Sequence, residues 1–342
     1  MKKLLLAGYF FKQKENVVNS IKIAGMIIIC SVTAITLMDS THCFSQEKTA
    51  KNDTTNPPKK DSPLNHIDIA NEQYKQGLNY AQYGLFDEAI EMYKKSLAKN
   101  PNNADTYNNL GIAYSQKGVY DNAIEAFQKA LEQNHNNANI YYNLASAYFD
   151  KGVFDKAVET FKKVVQINPD YRAAYSLLGI AYTNIGRYDD AIQAFKKRIE
   201  LDPNLAMAYS NLGIVYSKKG MNKEALVEYK KALEIDPTHE IALYNLGRLY
   251  DETGNIDEAI QYYNRTIAVN TSNSDAQYRL GKDYMKKKQY DDAINAFQTA
   301  VMVNPNNFEV YNDIGNAFKA KGMEKEADGY FALYKKQAKK EK

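Results

Sequence analysis

The chain has 342 residues, and its 44 lysines and arginines nearly balance 41 aspartates and glutamates. That near-neutral charge lacks the net basic footprint on which general nucleic-acid binding depends, so no nucleic-acid partner is expected. By length alone two globular domains would be the prior, yet the internal organisation argues for one array in which each unit touches only its neighbours.

Residues 1–45 form a segment of their own. Lys2, Lys3, Lys12, Lys14 and Lys22 precede an uncharged run from Ile23 to Met38, followed by Asp39 and the small or polar Ser40, Thr41 and Ser45. A basic stretch, an apolar run and small residues beyond it are the parts of an export signal. The run is near the upper limit for a signal-peptide core and slightly short for a spanning helix. A signal peptide cut before Gln46 and a retained signal anchor therefore stand as the two export readings, beside a third in which the segment has no membrane role. Either export reading makes the rest of the chain exported, periplasmic or membrane-anchored, facing outside the cytoplasm. Cys30 and Cys43 both fall in this leader, so a chain cut after Ser45 holds no thiol that could mispair in an oxidising compartment. The leader also carries five lysines, Glu15 and Asp39, which leaves 39 basic and 39 acidic residues beyond it. Residues 46–69 are polar, contain proline and show little apolar periodicity, as a linker would.

From Ala70 the chain falls into eight blocks of 34 residues with no insertion or deletion: 70–103, 104–137, 138–171, 172–205, 206–239, 240–273, 274–307 and 308–341. The twentieth residue of a block is alanine every time, from Ala89 and Ala123 to Ala327. Fourteen of the 17 glycines occupy the eighth place, as Gly77 and Gly111 do, or the fifteenth, as Gly84 and Gly118 do. Five of the eight prolines, among them Pro101 and Pro169, stand at the thirty-second place, where a residue that cannot continue a helix ends one. In the second block Tyr107, Leu110, Gly111 and Tyr114 line one face of a first helix, and Ala123, Ile124, Phe127 and Leu131 one face of a second. Gly118 is the expected turn between them, and Asp121 suits the start of the second helix. The small residues at the eighth and twentieth places are expected to face one another and let the two backbones approach.

An aromatic, then Leu-Gly, Tyr, Ala, Phe and Pro at fixed offsets in 34 residues resembles the tetratricopeptide repeat family. The likeness covers most of the chain, although it has no tryptophan and fills the fourth place with Tyr107, Tyr141, Tyr175, Tyr209 or Tyr311. The resemblance implies an all-α, right-handed superhelical solenoid of helix-turn-helix repeats, whose first helices line a concave surface that binds proteins or peptides. The stripe on that surface contains the second, sixth, ninth and thirteenth places. Its sixth place holds Asn109, Asn143, Asn211 and Asn245, similar to the asparagine ladder of the O-linked sugar transferases, though asparagine is also common at that place. Ile180, Met207, Ile214 and Ile241 supply apolar anchors along it, or else pack between neighbouring first helices. Arg248, Arg279, Lys282 and Lys286 make it basic further on, as an acidic ligand end would require, while the acidic neighbours Asp251, Glu252, Asp275 and Asp283 weaken that basic character. The lysine and asparagine clamp by which co-chaperones of this family hold a terminal carboxylate is absent.

No metalloprotease, phosphate-loop, dinucleotide or nucleophile-elbow pattern occurs, and the four histidines are far apart, so neither a catalytic site nor a cofactor or metal is expected. The function these observations imply is a non-enzymatic protein-interaction scaffold of the cell envelope. The alternative is an accessory docking subunit of an envelope enzyme, transport or assembly complex. Three departures, Thr271, Gln277 and Lys288, predict a weak joint between the sixth and seventh blocks. The last block runs into Lys335, Lys336 and Lys339 with no capping helix, so Tyr330, Phe331 and Tyr334 are expected either to offer an end-to-end homodimer contact or to lie under lysine stems.

Overall fold

The computed structural model describes residues 66–339, which are helical apart from short turns and loops. The leader, residues 46–65 of the linker, Lys340 and Lys342 lie outside the described residues. Two compact units are present, divided between Ala181 and Tyr182.

The first unit contains α1 (His66–Gln82), α2 (Phe86–Lys99), α3 (Ala104–Gln116), α4 (Tyr120–Gln133), α5 (Ala138–Asp150) and α6 (Phe154–Ile167). The unit boundary falls within α7 (Arg172–Asn184). The second unit contains α8 (Tyr188–Leu201), α9 (Ala206–Lys218), α10 (Asn222–Ile235), α11 (Glu240–Glu252), α12 (Ile256–Val269), α13 (Ser274–Lys286), α14 (Tyr290–Val303), α15 (Glu309–Ala320) and α16 (Glu324–Ala338). The helix ends keep the 34-residue period. One difference from the sequence reading is that residues 66–69, assigned to the linker, form the first turn of α1, where Asp68 complements the helix dipole.

The turn between first and second helices is closed the same way along the chain. In the second block the Gly118 N–H donates to the Ser115 carbonyl at 2.9 Å and the Val119 N–H to the Tyr114 carbonyl at 3.0 Å, with Gly118 at φ 72°. This is the Schellman closure, whose left-handed residue favours glycine. In the seventh block Lys288 takes that place at φ 60°, and the same two bonds form, from the Lys288 N–H to the Met285 carbonyl at 3.0 Å and from the Gln289 N–H to the Tyr284 carbonyl at 2.9 Å. A side chain there costs about 1–2 kcal/mol. Asp121 makes no capping bond at the start of α4; it pairs instead with Lys151 at the end of α5. Asp87 with Lys117, Asp257 with Lys287, and Asp291 with Lys321 repeat this link between successive blocks.

The contact between first and second helices differs from expectation. The eighth-place glycine faces the aromatic ring of the twenty-fourth place: a Cβ on Gly111 would lie 2.6 Å from the Phe127 ring, and one on Gly281 2.5 Å from Phe297. The twentieth-place alanine is fully buried beside that ring and packs toward the following block, as Ala123 and Phe127 do with Ile140 and Leu144. In the second unit Ala259 and Tyr263 meet Ala276 and Leu280 in the same way. Each unit therefore has a chain of small cores in place of one central core.

At the end of α16, Phe331, Tyr330 and Tyr334 are half-buried. Tyr330 stacks on Phe318 with ring centroids 5.4 Å apart and accepts a bond from Gln298 Nε2 at 2.8 Å, and Tyr334 stacks on Phe308 at 5.9 Å. Aromatic neighbours from the same unit, in place of lysine stems, thus cover part of the Tyr330 and Tyr334 rings.

Two substitutions test this description by chemical denaturation. Gly111→Ala should destabilise the protein by about 1–3 kcal/mol, because the new methyl overlaps the Phe127 ring. Lys288→Gly should stabilise it by about 0.5–1 kcal/mol, since relief of the left-handed strain outweighs the added freedom of the unfolded chain.

Candidate functional site

The stripe expected to hold a partner lies on the first helices of both units. In the first unit the sixth-place amides are not free-standing. Asn109 Nδ2 donates to the Tyr74 hydroxyl at 2.9 Å, and Asn143 Nδ2 donates to Asn108 Oδ1 at 2.9 Å. Tyr74 and Asn108 occupy the fifth place of the preceding block, so each bond spans 35 residues and ties one first helix to the next. Both asparagines are half-buried. Asp150, at the thirteenth place, stays accessible to solvent while the surrounding helices displace enough water to push its carboxyl up to about 6.

The second unit repeats the 35-residue link with other chemistry. Arg279 Nε donates to the Tyr244 hydroxyl at 3.1 Å, and the Tyr278 hydroxyl donates to Asp313 Oδ2 at 2.9 Å. Asn245 departs from the expected exposure: it is only 7% exposed and donates to the Ile241 carbonyl of its own helix at 2.8 Å. Ile180, in the first unit, is 2% exposed and belongs to the core, so it offers no anchoring surface. Met207, Asn211, Ile214 and Ile241 are half-buried on α9 and α11 and remain reachable.

The basic run is neutralised from within. Arg248 pairs with Glu252 at 2.9 Å, Arg279 lies 3.7 Å from Asp251, and Lys282 lies 3.6 Å from Asp313. Lys286 bonds both Asp251 and Asp283, the latter at 2.8 Å. Each cation already has a carboxylate of its own chain beside it, which weakens the case for an acidic ligand end.

The family model for the tetratricopeptide repeat matches residues 136–204 and 204–272, and a second model of the same repeat matches 77–118, 113–152 and 281–322. The chain belongs to the tetratricopeptide repeat family. Among solved structures it is 34% identical to a MamA protein, over 49% of this chain and 92% of that one, with a TM-score of 0.48. It also matches the C-terminal part of a TPR repeat-containing protein from Cytophaga hutchinsonii at 19% identity and a TM-score of 0.58, over 70% of this chain and 99% of that one. A tetratricopeptide repeat protein from Parabacteroides merdae matches at 20% identity and a TM-score of 0.58, over 73% and 99%. No curated protein matches the chain.

In this tetratricopeptide array the fifth-place residues Tyr74, Asn108, Tyr244 and Tyr278 were missed from sequence. Their recurrence beside a polar sixth place was the available signal. Asp283 was legible only as an acidic neighbour of the basic run, and its burial was not anticipated. It stands at the tenth place, which is Ala113, Ala147 and Ala317 in other blocks, and it is 0% exposed with Oδ2 buried and unpartnered. Burial pushes its carboxyl up to about 6; the neighbouring Asp251 charge adds to the shift and Lys286 opposes it. Among the described residues no group of three or more His, Cys, Asp or Glu side chains could hold a metal ion, and no helix is long and apolar enough to cross a membrane.

Asp283 gives a signed pH dependence. Its folded pKa lies above the ordinary value, so the folded state prefers the neutral acid. The penalty is absent below about pH 4, grows as pH rises toward 6 and is complete above that. Asp283→Ala should therefore stabilise the protein at pH 7.5 by about 1–3 kcal/mol, with Lys286 still held by Asp251, and the gain should vanish near pH 4. Denaturation at both pH values checks this, and a destabilised variant at pH 7.5 would show that the Lys286 pair outweighs the burial cost.

Proposed function

We propose that the chain is a non-enzymatic interaction scaffold of the cell envelope, which holds a peptide segment or partner protein against its first helices. The observation that carries this reading is the surface of α9 and α11, where Met207, Ile214 and Ile241 present half-buried apolar area around the amide of Asn211. Mixed apolar and amide groups of this kind fix an extended segment through backbone bonds and modest side-chain anchors. In the first unit, Asn109 and Asn143 contribute acceptors held in place by Tyr74 and Asn108. Arg248 and Arg279 act as rigid edges of this surface, since their charges are already matched.

Envelope placement rests on the leader, with Lys2 to Lys22 ahead of the Ile23–Met38 run, and on the confinement of both cysteines to it. The soluble part then begins near Gln46 or stays tethered through residues 1–45. Intact protein starting at Met1 in a cytosolic fraction of the source organism, read by mass spectrometry, would remove this part of the reading. Self-association through α16, where Leu333 is exposed, is a further contact the scaffold could use.

Placing a photocrosslinking residue in the full chain in its source organism tests the binding surface. Crosslinked partner is expected from positions 207 and 214 and not from 227, where Val227 is 62% exposed on the second helix α10. Ile214→Asp should weaken the captured partner's affinity at least about tenfold, through burial of an unpaired charge, with little change in helicity. Capture from position 227 alone would move the binding surface to the second helices.

A further inference from the structure

In the second block Tyr107 fills the space between α3 and α4: it packs with the apolar clusters on both sides, and the Lys129 ammonium lies 6.0 Å from its ring centroid. Tyr107 is at the fourth place and Lys129 at the twenty-sixth. In the seventh block these places hold Gln277 and Thr299, and between α13 and α14 a shallow cleft of about 240 Å³, wide open to solvent, lies where the ring would be. Gln277, Leu280 and Tyr284 line it from α13, and Asp292, Asn295 and Thr299 from α14. The floor is apolar, through the buried Leu280 and Ala296. Gln277 is itself only 9% exposed and reaches the cleft without filling it.

We propose that this cleft is a receptor for one tyrosine side chain presented by a partner protein or peptide. The warrant is internal to the chain: the same helix pair elsewhere accommodates a tyrosine ring at this place, and here the ring is missing while its seat remains. The volume is below the roughly 300 Å³ at which small-molecule pockets begin and suits a single anchoring side chain. Aromatic residues seated in such pockets contribute a large share of interface energy. The rim selects a phenol over a plain ring, because the exposed Asp292 carboxylate can accept the hydroxyl proton and the Gln277 and Asn295 amides offer both donors and acceptors. The Thr299 hydroxyl is already used, donating to the Asn295 carbonyl at 2.9 Å. The fourth place lies outside the second, sixth, ninth and thirteenth places, so this receptor is separate from the surface of α9 and α11. It relies on the scaffold reading only in taking a protein as the source of the tyrosine.

The test uses p-cresol and toluene as probes on the full chain, read by methyl NMR at Leu280 and Ala296. Saturable shifts confined to these methyls are expected with p-cresol, with at least about threefold weaker binding of toluene. Gln277→Tyr should fill the cleft from within, abolish the shifts, leave the circular dichroism unchanged and raise Tm by a few degrees. Gln277→Leu, which gives this place the residue type of the buried Leu243 in the sixth block, provides an independent block if the first variant folds poorly. Absence of saturable shifts at Leu280 and Ala296, or shifts that persist in either folded variant, would overturn the proposal. Because the probes are free small molecules, failure here leaves the crosslinking result at positions 207 and 214 to decide the scaffold reading on its own.

Discussion

The arrangement of each helical pair depends on one close contact, the face of a first helix against the aromatic ring at the twenty-fourth place of the second. A Cβ on Gly77, Gly213 or Gly315 would sit 2.5–2.6 Å from that ring, inside any permitted separation. The absence of a side chain thus fixes how near the two helices come and at which turn they meet. Once that is set, the neighbouring places have little freedom: the twentieth-place alanine turns toward the next block, and the third and seventh places of that block come up against it. The third block shows the contact is a matter of degree, since Ala145 stands opposite Phe161 and both are fully buried.

Because each block packs mainly on its neighbours, the interactions between blocks carry weight that a central core would otherwise carry. Two kinds of link recur within the units. The aspartate and lysine pairs 30 residues apart are exposed and each contribute little, in the range of about 0–1 kcal/mol. The fifth- and sixth-place bonds 35 residues apart are half-buried, and breaking one leaves a polar group with reduced access to water, which costs more than losing an exposed pair. Apolar packing therefore supplies most of the stability, and the 35-residue bonds hold successive first helices in register. That second role matters for recognition, because an extended partner reads the spacing between first helices as much as their side chains.

The period, the turn residues, the alanine and aromatic places and both helices of each block were legible in sequence, since each follows from local geometry repeated at fixed spacing. Which side chains meet across blocks was not. Asn109 and Asn143 look alike in sequence with Asn245, yet the first two bond the preceding block and the third bonds its own helix. The outcome turns on the fifth-place neighbour and on how deeply a given helix sits, neither of which a single-block pattern encodes. Ile180 shows the same limit: helical periodicity assigned it to the stripe, while the packing around it makes it core. Charge was legible in part: Asp251, Glu252 and Asp283 stand out in sequence as acidic neighbours of the basic run, whereas the pairing of Lys282 with Asp313 of the following block does not.

The seventh block concentrates the departures. Gln277, Asp283 and Lys288 each break a local rule, by leaving out a ring, burying an acid and holding a side chain at positive φ. Their costs are partly offset nearby. Glu240 accepts bonds from Asn270 at 2.9 Å and Asn273 at 2.7 Å, which fastens the loop that lacks proline at Thr271, and Lys286 spans Asp251 and Asp283. Polar bonds thus replace part of the apolar packing at this joint, and unlike apolar packing they respond to pH and salt. Where sequence rules fail together while nearby polar bonds compensate, the usual physical reason is a site that needs space or adjustability more than stability. The cleft beside Gln277 is the space that this exchange leaves.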